Sequence, residues 1–439
     1  MPVQKNTDLP SEFADRFTKP VARFLKVETA AGGLLLVTVL IALFLANSGW
    51  ATAFLGFWET PVGLTFGPLD FTRSVRHWIN DGLMTLFFFL ISLELKRELV
   101  LGELRKPRQA ALPLAAAVGG MVVPVVIFLI FNTGHPGTRG WGTVMATDTA
   151  FAIGCLALFG RRIPPALRIF LMSLAIFDDV GAILAVAVFY GGPLNWTAIG
   201  AAILGLGLIA VIARLGIRNL PIYCLAGVMV WLCVDASGIH ATIAGVALGL
   251  MTPTRIWVSD ARLRAILSRV LTYPTSEQSS GQGVERHDLR KVGRAVSESL
   301  SPVERLEVVL HPWVGFVVMP VFALANAGVE IEWTDFGQQI STAIVAGLVF
   351  GKPLGVLGFS WVAVRLGLAV LHPNLSWPFL AAGACLAGIG FTMSLFIANL
   401  AFDPLLLNAA KLGVFTGSAF SAIAGFLILL WLTLLPRLR

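Results

Sequence analysis

A chain of 439 residues that is 56% hydrophobic and only 13% charged, with a mean hydropathy of +0.82, is neither a water-soluble globule nor a disordered protein; soluble domains carry about 25% charged residues. The net charge of +7 does not point to a nucleic-acid binder, because Lys and Arg fall between apolar runs rather than along one face. The composition is that of an all-α polytopic membrane protein, whose length holds twelve spans of about 20 residues with enough left for the connections.

Residues 1–28 are polar and basic and lack a clear small-residue cleavage site, so they are expected to stay attached on the cytoplasmic side. Membrane helices are then expected at Thr29 to Asn47, His77 to Val100, Gln109 to Phe131, Trp141 to Phe159, Ala166 to Tyr190 and Trp196 to Ala213. Six more follow at Leu220 to Ala236, Ile239 to Met251, His311 to Gly328, Ser341 to Leu366, Trp377 to Leu400 and Asn408 to Leu435. Residues 29–435 thus form one transmembrane domain, with 436–439 as a short tail.

Two connections are more than short loops. Within 57–72, Val62, Leu64 and Phe66 alternate with small or polar residues before Gly67-Pro68, which predicts a short external β-hairpin, with an irregular loop as the alternative. The connection 252–310 is long and basic, and its Ser/Gly/Gln-rich centre at 276–283 reads as cytoplasmic and partly disordered. Alternate connections carry 27 of the Lys and Arg on one side, against Arg73, Arg76 and Arg139 on the other with Lys411 at a helix edge, which puts both termini in the cytoplasm. Cys155, Cys224, Cys233 and Cys385 sit inside apolar runs without metal-ligand spacing and read as small core residues.

Four ionisable residues interrupt the apolar runs at mid-span: Asp148, the adjacent Asp178 and Asp179, and Lys352. Each costs about 2.5 to 3.5 kcal/mol at a helix centre, which marks them as functional. Three carboxylates against one ammonium leave a formal surplus of two negative charges, as a cation site requires. A buried ion pair between Lys352 and one Asp accounts for only part of the set. Neighbours on a helix diverge by about 100°, so while Asp178 or Asp179 pairs with Lys352 the other faces elsewhere. Thr147 adds a hydroxyl beside Asp148; hard cations prefer oxygen ligands, although a membrane threonine also bonds back to its own helix. Burial and a like-charged neighbour favour a carboxyl that keeps its proton. Such a site holds either a proton or a metal cation, and competition for it couples the two fluxes when the site opens to each side in turn. Gly388-Ile-Gly-Phe-Thr392 weakens the eleventh helix near its middle, whereas no comparable glycine breaks the helix that carries Asp148.

The motifs together resemble the bacterial NhaA family of Na⁺/H⁺ antiporters. The resemblance runs from about His77 to Leu400 and rests on His77-Trp-Ile-Asn-Asp-Gly82, Leu93-Glu-Leu-Lys-Arg-Glu98, Ala146-Thr-Asp-Thr-Ala-Phe151, Phe177-Asp-Asp-Val-Gly-Ala182, Ser237-Gly-Ile-His-Ala-Thr242, Leu310-His-Pro-Trp313, Gly351-Lys-Pro-Leu-Gly355 and Gly388-Ile-Gly-Phe-Thr-Met-Ser394. It implies twelve helices, with helices three to five and ten to twelve as inverted repeats, and interrupted fourth and eleventh helices that cross near the midplane. On the matching positions, Asp148 would balance the positive half-helix ends and Lys352 the negative ones. Asp179 would be the principal ligand of the transported Na⁺, with Asp178 alternating between Lys352 and the open site.

The resemblance further implies exchange of intracellular Na⁺ or Li⁺ for external H⁺ across a bacterial inner membrane, electrogenic and pH-regulated, with no cofactor. It also implies a homodimer through the external hairpin, and a cytoplasmic pH-responsive cluster of Glu94, Arg97, Glu98, Glu307 and His311. Anchoring to the membrane interface is the plainer reading of those charges. Glu304 and Val308 stand where the best-known members carry a Lys and a second His, which bears on the pH threshold. His240 reads as a packed, hydrogen-bonded histidine, and Asp81 and Asp235, near helix ends, as solvated. Two rival classes also use buried acids or cation sites: an intramembrane aspartyl protease, which needs two facing carboxyls, and a passive cation channel.

Overall fold

The computed structural model describes residues 28–63, 65–66, 69–70, 72–102, 105, 107–216, 220–254, 260–271 and 300–434. Apolar stretches become helices here because each backbone N–H and C=O in lipid must be bonded within its own segment. In chain order these are α1 (Glu28–Ala46), α2 (Ala51–Glu59), α3 (Val75–Val100), α4 (Pro107–Phe131), α5 (Thr149–Leu158), α6 (Pro165–Phe189), α7 (Trp196–Arg214) and α8 (Leu220–Asp235). Then come α9 (Thr242–Met251), α10 (Asp260–Leu271), α11 (Pro302–Asn326), α12 (Gln339–Arg365), α13 (Trp377–Ala387), α14 (Phe391–Ala401) and α15 (Pro404–Leu434). Among the described residues, seven helices are long and apolar enough to cross a membrane, or up to ten if each of three bent pairs is one span. Apolar side chains such as Phe44, Val188 and Leu204 point outward, as a lipid-facing surface demands.

The fourth span, expected at Trp141 to Phe159, is interrupted as the resemblance implies and composition does not show: a 3₁₀ arm, Pro136–Val144, stops, residues 145–148 run without helix, and α5 starts at 43° to the arm. The eleventh span breaks as its glycines suggest, with α13 and α14 at 40°. The helix expected from His311 begins at Pro302, because Ser301 and Glu304 form a reciprocal capping box and Pro302 fits the first turn. The connection 252–310 also contains α10; its centre at 276–283, like 1–27 and 435–439, lies outside the described residues. The segment 57–72 is only partly hairpin: α2 ends at Glu59, and the strands β1 (Pro61–Val62), β2 (Thr65–Phe66), β3 (Leu69–Asp70) and β4 (Arg73–Ser74) follow. They pair antiparallel, Pro61 with Ser74, Val62 with Arg73, Thr65 with Asp70 and Phe66 with Leu69. Lys411 is buried rather than at an edge, and Cys224 is exposed.

Most of the bundle shares one apolar core, and α7, α8 and α9 pack around a second, smaller one centred on Ala202, Ile209, Val230, Val234 and Ala244. Three of the long helices contain a π turn, at Trp78–Leu83, Val314–Val318 and Gly347–Gly351. Helices α4 and α12 cross closely. A Cβ on Gly119 would strike the Gly355 carbonyl, and one on Gly355 would strike the Gly119 carbonyl. Small residues let membrane helices come this close, and the approach positions Lys352, whose side chain passes Gly120. Gly355→Ala should therefore lower the thermal unfolding midpoint in detergent, by an overpacking cost of about 1–3 kcal/mol. A midpoint equal to the parent's would show that the crossing relaxes freely.

Candidate functional site

The two broken helices meet at their gaps. Asp148 is the N-cap of α5, where its carboxylate accepts from Phe151 N at 3.2 Å. The same carboxylate reaches the first turn of α14, accepting from Thr392 N at 3.1 Å and from the Thr392 hydroxyl. One negative group thus serves two helix N-termini, each with unpaired N–H groups and a partial positive charge. The Asp148 N–H donates to the Ile389 carbonyl at 2.6 Å, and the Ser418 hydroxyl accepts from the Phe391 amide at 3.2 Å. Glycine is needed at the α14 gap: a Cβ on Gly388 would meet the Leu348 carbonyl, and one on Gly390 the Ser394 hydroxyl.

Thr147, one residue earlier, faces the opposite end of the crossing. Its hydroxyl lies 2.8 Å from the carbonyl of Ala387, the last residue of α13, and 2.6 Å from Asp178 Oδ2. Having one hydrogen, it donates to one of these at a time, and its oxygen accepts from Lys352 Nζ at 2.9 Å. Lys352 also donates to Asp178 Oδ2 at 2.6 Å. Lys352 reaches the negative end of α13 through Thr147.

Asp179 stays out of this pair. Helical geometry turns it away from Asp178, and it is 4% exposed, against 0% for Asp178 and Lys352 and 1% for Asp148 and Thr147. The Oδ1 atoms of Asp178 and Asp179 are both buried without a hydrogen-bond partner. Buried polar atoms without partners are uncommon and costly. A carboxylate oxygen in this position is satisfied by its own proton or by a hard cation, which takes oxygen ligands.

All five members of the expected cytoplasmic cluster come together where α3 meets α11. Arg97 bridges Glu307 at 2.6 Å and Glu98 at 2.9 Å, and His311 Nε2 lies 4.0 Å from Glu94. Glu304 is held instead in the capping box of α11. Sequence reasoning left Thr392 and Ser418 unassigned. Thr392 carried a usable signal, a hydroxyl two residues after a helix-breaking glycine, whereas nothing local singles out Ser418 on the uninterrupted α15. Asp81, read as solvated, is buried at 6% exposure.

Residues 22–429 match the family described as Na⁺/H⁺ antiporter 1. The chain is 58% identical to the Na(+)/H(+) antiporter NhaA of Rhizobium meliloti (strain 1021), over 97% of both chains. It is 54% identical to Na(+)/H(+) antiporter NhaA 2 of Acidiphilium cryptum (strain JF-5), over 96% of this chain and 94% of that one. For Na(+)/H(+) antiporter NhaA 2 of Vibrio vulnificus (strain CMCP6) the figures are 52%, 96% and 95%.

The geometry sets an expectation for stability. Lys352→Ala leaves the Asp178 carboxylate buried without its cation, a loss of about 3–5 kcal/mol, and should lower the thermal midpoint of the purified protein. Asp178→Asn in the same chain removes the stranded charge and should restore much of the loss; a double variant no more stable than Lys352→Ala would mean the two groups are not coupled.

Proposed function

We propose, for a chain that belongs to the Na⁺/H⁺ antiporter 1 family, that it exchanges intracellular Na⁺ or Li⁺ for external H⁺ by letting either occupy one site at Asp178 and Asp179. The observation that carries this reading is the pair of adjacent carboxylates, each with a buried oxygen that has no hydrogen-bond partner. A proton or an alkali cation fills that need, and the two exclude one another because they use the same oxygens. Exchange follows when the loaded site opens to one face of the membrane and then to the other.

Asp179 is the principal ligand. Asp178 leaves Lys352 for the incoming ion and returns to it when the ion goes, with Thr147 contributing a third oxygen. Asp148 and Lys352 balance the half-helix ends while this happens. Two protons leave for one monovalent cation, one from Asp179 and one from the Lys352–Asp178 pair as Lys352 loses its carboxylate partner, so net charge moves and the exchange is electrogenic. No cofactor takes part. Glu94, Arg97, Glu98, Glu307 and His311 set the pH response, since the pairs of Arg97 and His311 with carboxylates carry the charge balance that holds α3 against α11.

Counting α1, the two broken helices, α8 and α9 as spans alongside the seven long helices gives the twelve of the family pattern. Helices α4, the arm with α5, and α6 form one half of an inverted repeat, and α12, α13 with α14, and α15 form the other. Both termini lie in the cytoplasm of a bacterium whose inner membrane holds the protein, and the hairpin joins two copies. The protease reading fits poorly, because Asp178 is engaged by Lys352 and Thr147, and Asp148 by two helix N-termini. A channel carries ions without a counter-gradient.

The test is Na⁺-dependent dequenching of a pH dye in everted vesicles, run across pH with Na⁺, Li⁺ and K⁺. The parent should respond to Na⁺ and Li⁺, and Asp179→Asn should abolish the response while the protein remains in the membrane. Undiminished exchange in Asp179→Asn would overturn the assignment, and Na⁺ flux without proton movement would leave a channel.

A further inference from the structure

A second set of donors gathers where the start of α3 meets the end of α8. His77 Nε2 lies 3.1 Å from Asp81 Oδ2. One donor atom from each of His77, Asp81 and Asp235 lies within 4.8 Å of the other two. Asp235 is the last residue of α8, so two separate helices contribute. His240, in the connection between α8 and α9, is close enough to act electrostatically on all three. Asp81 is 6% exposed, while the His77 side chain is 41% exposed and gives access from the surface.

An ion pair between His77 and Asp81 explains two of these residues and leaves Asp235 and His240 over. We propose that His77, Asp81 and Asp235, with water in the fourth position, form a binding site for a divalent transition metal of the Zn²⁺ type that ties α3 to α8. Imidazole with carboxylate is a donor set that such ions accept and alkali cations do not select. His77 and Asp81 stand at i and i+4 on one helical face, the spacing by which helices present paired zinc ligands.

Zn–N and Zn–O bonds of about 2.0–2.2 Å put tetrahedral neighbours about 3.4 Å apart. The His77–Asp81 gap of 3.1 Å is close to that size, and Asp235, within 4.8 Å of the others, has to approach by up to about 1.4 Å. The π turn Trp78–Leu83, a kind of distortion frequent at functional sites, carries Asp81. Arg73, exposed on β4, also acts on Asp81 but offsets only one of the two carboxylates, so the cluster keeps a negative balance.

The proposal is tested on the tag-free, full-length protein in detergent, with Zn²⁺ titrated calorimetrically and Co²⁺ followed by its visible ligand-field bands. One Zn²⁺ should bind per chain, and Co²⁺ should give a four-coordinate spectrum. His77→Gln, at a half-exposed position, and Asp235→Asn should each weaken Zn²⁺ binding by at least about tenfold and remove the rise in thermal midpoint that Zn²⁺ causes in the parent. Asp179→Asn should keep both. No saturable Zn²⁺ binding by the parent, or equal affinity in His77→Gln and Asp235→Asn, overturns the site; loss of binding in Asp179→Asn as well would place the metal at the other cluster and overturn it equally.

Discussion

Two helices that begin inside an apolar medium each expose amide N–H groups with no water to take them, and the cost of leaving such groups bare is several kcal/mol. This bundle meets the problem once for both. The Asp148 carboxylate accepts from the first turns of α5 and α14, and the gap residues of the two broken helices complete the exchange through the Asp148 N–H and the Ile389 carbonyl. Other polar contacts at the crossing are placed relative to this shared cap: Thr147 precedes it by one residue, Gly390 leaves room for Ser394, and Ser418 accepts from the Phe391 amide.

A shared cap has an energetic corollary. A buried ion pair such as Lys352–Asp178 is weak evidence for stability, because desolvation offsets most of the attraction. Its value here lies in balance. The crossing brings two positive helix ends and two negative ones into a small volume, and charges of either sign placed among them lose less than they would in a uniform apolar surrounding. The close backbone contact at Gly119 and Gly355 fixes the helix that carries Lys352 against α4, so the ammonium is presented to Asp178 by packing rather than found by a flexible side chain.

Much of this was legible in the amino-acid order, and the limits have physical causes. Asp148, Asp178, Asp179 and Lys352 stood out because lipid penalises charge wherever it occurs, which makes them visible without any knowledge of partners. The break before Asp148 did not, since Met145-Ala-Thr-Asp148 contains neither glycine nor proline and hydropathy is blind to which carbonyl a backbone amide finds. Its partners at Ile389 and Thr392 are more than 240 residues away. The start of α11 was missed for the opposite reason: Ser301-Pro-Val-Glu304 is a clear capping signal, but the charges around it read as loop in a chain judged by apolar runs. Asp81 was placed in solvent on its nearness to a helix end, whereas the folded chain buries it beside His77 and Asp235.

The hydroxyl of Thr147 has one hydrogen and two acceptors within reach, a carboxylate on α6 and a carbonyl that ends α13. While Lys352 occupies the hydroxyl oxygen, a rotation about one bond decides which helix that hydrogen serves. The crossing therefore contains a rotor, a single torsion that turns one hydrogen between Asp178 and the severed end of a neighbouring helix with no shift of the main chain.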